Sequence, residues 1–151
     1  MTRRHLRHHG VYATVSLAIA ATITGAVAAT PRAPVAAAPG EGLICSAMFL
    51  VVAAEVGRRC FPGENIAVHD ELGRSIARID NFVLSNSATT PAQLAEFKRR
   101  QGGAALANNA LCGGDRLALY RSIVTRGPAA IRADTARLVS RPGKPTWGNC
   151  L

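Results

Sequence analysis

Apolar positions along this chain form two dense runs and then settle into helical stripes. The first run, residues 11–29, is uncharged and built from Ala, Val, Ile, Leu and Thr. The second begins at Leu43 in LICSAMFLVVAAEVGRRC and is apolar almost all round over residues 43–54. Those twelve residues are too few to span a bilayer, which takes about 20, and their Ala, Met and Leu content predicts a buried helix. Phe49-Leu50-Val51-Val52 taken alone also fits a strand. Gly57 and the turn Phe61-Pro62-Gly63 are expected to end the element.

From about residue 64 to 85, Leu72, Ile76, Ile79 and Val83 recur at steps of four, three and four. This is one apolar stripe of a long helix, with Arg74, Arg78 and Asp80 on its other faces. A third helix opens with Thr90 as N-cap, Pro91 at the first helical position and Gln93 completing a capping box. Leu94 and Phe97 face inward, Lys98-Arg99-Arg100 complement the dipole of the last turn, and Gln101-Gly102-Gly103 closes it. After a loop through Asn108-Asn109, Gly113-Gly114-Asp115 predicts a fourth helix with Asp115 as N-cap. Leu117, Tyr120, Ile123 and Val124 form its stripe, and Gly127-Pro128 stop it. A fifth runs from about 128 to 140 with Ile131 and Leu138 inside. The irregular tail RPGKPTWGNCL holds the single Trp, and Trp147 and Cys150 are expected to pin it onto the helices. The expected fold is all-α, a small bundle or irregular array of four to five helices.

The first run acquires a meaning from its flanks. Arg3, Arg4 and Arg7 precede it, and Ala26-Val27-Ala28 and Val27-Ala28-Ala29 offer small-x-small cleavage sites at its end. That order of basic, apolar and small residues is a secretory signal, expected over 1–29. An uncleaved anchor is the competing reading, diluted by Thr14, Ser16, Thr22, Thr24 and Gly25. Thr2-Arg3-Arg4-His5-Leu6 resembles part of a twin-arginine signal, with Arg7 where a second apolar residue is usual. Residues 30–42, with three prolines and two glycines, read as a flexible lead, and residues 43–151 as the folded domain.

All four cysteines, Cys45, Cys60, Cys112 and Cys150, lie beyond the signal, so they read as two disulfides. Four cysteines permit three pairings. On one helix Cys45 and Cys60 lie roughly 20 Å apart, whereas bridged Cα atoms need about 4.4–6.8 Å. Sequential pairing therefore requires a broken first helix. The preferred alternative joins Cys60, after the first helix, to Cys112, before the fourth, and leaves Cys45 for Cys150. Each bridge contributes about 2–4 kcal/mol. Zinc binding is disfavoured, because there is no Cys-x-x-Cys pair and no histidine near these cysteines.

Charge narrows the partners. The net charge is +9, falling to +6 when Arg3, Arg4 and Arg7 leave with the signal. A cationic exported protein suits anionic envelope components or an acidic protein better than nucleic acid. Arg58-Arg59 and Lys98-Arg99-Arg100 are its basic clusters, without the interleaved aromatics of single-strand binders.

Candidate chemistry is sparse. His69-Asp70-Glu71 groups a base with two acids, yet neighbours on a helix point apart, and an exposed first turn accounts for them. His69 is the one histidine outside the signal. Asp80 and Glu96 are the carboxylates weighed as a glycosidase pair. Gly113-Gly114 at a helix start offers amides to an anion, and Met48 with His69 is the ligand pair weighed for haem. None of these earns an assignment: no catalytic, cofactor-binding or metal residue and no cofactor is expected. The reading that follows is a non-enzymatic exported protein, periplasmic or secreted, that binds a partner in the envelope or outside the cell. A small-ligand or haem-type carrier, with its pocket between the first two helices, and a small hydrolase centred on His69 are the alternatives.

Overall fold

The computed structural model describes residues 38–148, so the expected signal over 1–29 and Cys150 lie outside the described residues. Five helices, and no strands, make up the described residues: α1 (Leu43–Cys60), α2 (Ile66–Asn86), α3 (Pro91–Gln101), α4 (Asn108–Leu111) and α5 (Gly114–Leu138). The all-α expectation is met. No helix among them is long and apolar enough to cross a membrane.

α1 is continuous, which decides the cysteine geometry. Cys60, at its C-terminal end, bonds to Cys112 with Cα atoms 5.7 Å apart. Cys45, a helix-length away, is buried near the other end and is not free. Gly57 does not end the helix; it is a buried contact point within it. The chain turns instead at Phe61, which leaves helical geometry, and at Asn65, whose φ of 51° is left-handed.

α1, α2 and α5 pack against one another as the three main helices, around two apolar clusters. One joins Ala53, Val56, Val68, Leu72, Leu111, Tyr120, Ile123 and Ile131. The other, toward the start of α1, joins Leu43, Ile79, Phe82, Val83 and Leu94. α3 begins with the full capping box, Gln93 N–H donating to Thr90 Oγ1 and Thr90 N–H to Gln93 Oε1 at 2.8 Å. α5 starts two residues earlier than its sequence suggests. Gly113 is the N-cap, without a side-chain cap, and Asp115 lies in the first turn rather than capping it.

α5 is two helical stretches joined at a kink. Gly127 has φ 74° and ψ 169°, a combination open to glycine, and Pro128 restarts the helix at a position where its missing N–H costs nothing. The tail returns to the start of the domain. Thr146 N–H donates to Gly40 O at 3.0 Å, Ile44 N–H donates to Thr146 O at 3.2 Å, and Trp147 meets Phe97 edge-on at 5.8 Å. Trp147 thus anchors the tail on α3 while staying half exposed.

Candidate functional site

The charged side chains are arranged unevenly. Ten ion pairs among the described residues converge on only five carboxylates: Glu55, Glu71, Asp80, Glu96 and Asp134. Four of these acids serve two or three cations each, so local pairing leaves positive charge over. Both basic clusters named from the sequence are drawn into this scheme. Arg58 and Arg59 share Glu55, Arg99 and Arg100 share Glu96, and Lys98 reaches across to Asp80. Asp80 and Glu96 are therefore engaged with separate cations.

Glu71 stands apart from the rest. Its helix begins at Ile66, so Glu71 lies in the second turn of α2, not in an exposed first turn. It falls in phase with Val68, Leu72 and Ser75 and is fully buried with them. Three arginines close over it: Arg74 Nη2 at 3.1 Å and Arg132 Nη2 at 3.0 Å from Oε2, and Arg78 Nη1 at 3.8 Å from Oε1. Ser75 Oγ donates to Oε1 at 3.3 Å. The arginine side chains are 53, 45 and 56 % exposed for Arg74, Arg78 and Arg132, so they form the roof over the carboxylate. Burial raises the Glu71 carboxyl pKa, but hydrogen bonds from Arg132 and Arg74, with the charges behind them, more than offset this and hold it below the ordinary carboxylate value. Glu71 is ionised and committed to guanidinium groups.

His69, two residues earlier, points elsewhere. Its Nε2 lies 2.9 Å from the Tyr120 hydroxyl, to which Asn65 Nδ2 also donates at 3.2 Å. Phe61 stacks on Tyr120 with ring centres 5.0 Å apart. Gly57 allows the approach: a Cβ there would press on the His69 ring and sit 3.0 Å from Tyr120 Cε2. The imidazole is thus paired with a phenol, while Asp70 is exposed and Glu71 is held by arginines. The sequence cluster His69-Asp70-Glu71 is not brought together as a base and its acids.

The other candidates separate in the same way. Met48 is buried in α1, nine residues from the Gly57 that touches His69, about 13 Å along the axis at the usual rise. The two do not face one metal. No group of three or more His, Cys, Asp or Glu among the described residues is placed to hold a metal ion. Of the sequence-named residues, Cys60 and Cys112 are brought together directly. No local pattern marks the arginine cluster, although Glu71, three residues from Val68 and four from Ser75, is in phase with the core.

Compared with protein-family models, curated proteins and solved structures, the chain gives no match.

Proposed function

We propose that this chain is an exported, non-enzymatic helical protein that binds an anionic partner in the cell envelope or outside the cell. Its domain is stapled by a second bridge, Cys45–Cys150, beside Cys60–Cys112, and its signal over 1–29 is removed. The observation that carries the reading is the sharing of five carboxylates among ten cations, which leaves a positive surface on a rigid scaffold. Such a surface speeds encounter with anionic partners and weakens as salt screens it.

The test is intact native mass spectrometry on protein recovered from its own envelope fraction, with a salt series on washed envelopes. The expected chain starts near Ala29 or Thr30, gains four hydrogens on reduction, and leaves the envelopes as salt rises. A full-length chain with free thiols overturns the export reading. Salt-independent release, or no retention at all, overturns the anionic partner.

A small apolar ligand carrier is the second reading, favoured by a groove of about 200 Å3 beside the α5 kink, lined by Phe49, Leu50, Ile123, Ile131 and Leu138 among others. Ligand pockets usually measure about 300–1,000 Å3, so the groove suits only a small guest, and a haem is too large for it. A co-purifying non-covalent mass in the same spectrum would favour this reading over the first.

A further inference from the structure

We infer that Arg74, Arg78 and Arg132 form a binding site for a phosphate-type oxyanion. The inference rests on the proposed partner binding and names the contact chemistry.

The first argument is a count of donors. Three guanidinium groups carry about fifteen N–H donors, and one carboxylate offers about four acceptor sites. Oε2 of Glu71 already accepts from Arg74 Nε and Nη2 and from Arg132 Nε, at 3.1–3.3 Å. Oε1 accepts from Ser75. Most of the arginine donors therefore point away from Glu71, on side chains about half exposed.

The second argument concerns Arg78. A clamp between α2 and α5 is complete with Arg74, Arg132 and Glu71. Arg78, at 3.8 Å, is beyond hydrogen-bond reach of the carboxylate, yet it is held beside two like charges. Repulsion among the three is only partly relieved by one negative charge, which leaves the cluster at +2. An anion seated on the outer side removes that repulsion.

The third argument is shape. Glu71 takes Arg74 and Arg132 on a single oxygen, Oε2, whereas a tetrahedral phosphate presents further oxygens and accommodates three arginines. Arg74 and Arg132 are also held in advance by their bonds to Glu71. Arg74 and Arg78 stand one turn apart on α2, and Arg132 is brought to them by the stretch of α5 beyond the kink, so little side-chain freedom is lost on binding.

The experiment uses the oxidised mature chain, with inorganic phosphate and, separately, vesicles of phosphatidylcholine with or without phosphatidylglycerol as probes. Arginine side-chain N–H resonances are followed in a phosphate titration against chloride at equal ionic strength. The expected result is a saturable shift at Arg74, Arg78 and Arg132 with phosphate alone. Arg78→Gln should weaken it about tenfold, the loss of roughly one charge-assisted contact. Glu71→Gln should strengthen it about tenfold by raising the local charge from +2 to +3, while Arg121→Gln on the exposed face of α5 leaves it unchanged. If Glu71→Gln fails to fold, Arg78→Gln decides alone, because Arg78 makes no hydrogen bond to Glu71. Shifts that follow chloride equally, or an Arg78→Gln protein that binds phosphate like the parent, overturn the site. Retention on phosphatidylglycerol vesicles identifies a lipid headgroup as source, and phosphate binding without it identifies a soluble phosphate. An Arg78→Gln protein that binds both phosphate and envelopes like the parent ends this site and spares the partner-binding reading. Phosphate binding without envelope retention does the reverse.

Discussion

α2 is fastened to α5 at two places only two residues apart, and the fastenings have opposite chemistry. At His69 the contact is aromatic and hydrogen-bonded: Tyr120 is stacked on Phe61, bonded to His69 and Asn65, and lies in the apolar cluster against which Cys60 and Cys112, the disulfide from the end of α1, pack. At Glu71 the contact is ionic and lies near the surface, through Arg132 on the stretch of α5 beyond Gly127. The kink makes the contrast possible. It turns the two stretches of α5 so that each meets α2 on its own terms. One junction is built from stacked rings and neutral donors. The other depends on a carboxylate staying charged.

The largest change should come from the disulfide that packs beside the first of these junctions. Replacing Cys60 and Cys112 together by Ala frees a loop with a sequence separation of 52 residues and is expected to cost about 4 kcal/mol in denaturant unfolding. A loss below about 1 kcal/mol would show that the aromatic packing suffices without the bond. Gly57→Ala tests that packing directly. In a helix interior this change normally stabilises by roughly 0.5–1 kcal/mol. Here the added methyl meets His69 and Tyr120, and a net loss of about 1–2 kcal/mol is expected. A more stable variant would mean that the two helices do not approach so closely.

The ionic junction should respond to pH. Because the folded-state pKa of Glu71 lies below its ordinary value, its contribution is complete above that ordinary value, about 4.5, and is lost as pH falls through the lowered folded value. Glu71→Gln should therefore cost about 1–2 kcal/mol at pH 7, toward the lower figure because the arginines are half exposed. The gap from the parent should close in acid. Hydrogen exchange should quicken in residues 128–138 before 114–126 as pH drops; uniform quickening would erase the contrast between the junctions. Thr90→Ala, remote from both, should cost about 1 kcal/mol through loss of the α3 cap and leave the acid response unchanged.

Much of the fold is legible in the residues themselves, because local signals and tertiary packing agree. Thr90-Pro91-Gln93 specifies the α3 cap, Gly127-Pro128 specifies the kink, and the length of α1 alone separates Cys45 from Cys60 and leads to Cys60–Cys112. The misreadings have one cause. Gly57 looks like a helix terminator and Glu71 like an exposed acid, because each residue's role is set by partners distant in the chain that no local pattern announces: His69 and Tyr120 for the glycine, Arg132 for the acid. The arginine cluster was half visible. Glu71 and Arg74 form a helical pair at spacing three, but the third and decisive arginine comes from the far side of the kink.

The bond between Cys60 and Cys112 has a further effect, on what happens when the backbone is cut. The span from 61 to 111 contains all of α2, α3 and α4, together with the links between them, such as 87–90. A protease that nicks any peptide bond in that span opens a ring but does not divide the molecule. The two pieces stay joined through sulfur, the mass rises by a single water, and fragments separate only after reduction. The chain therefore tolerates one cut across nearly half of its folded length before it can lose a helix.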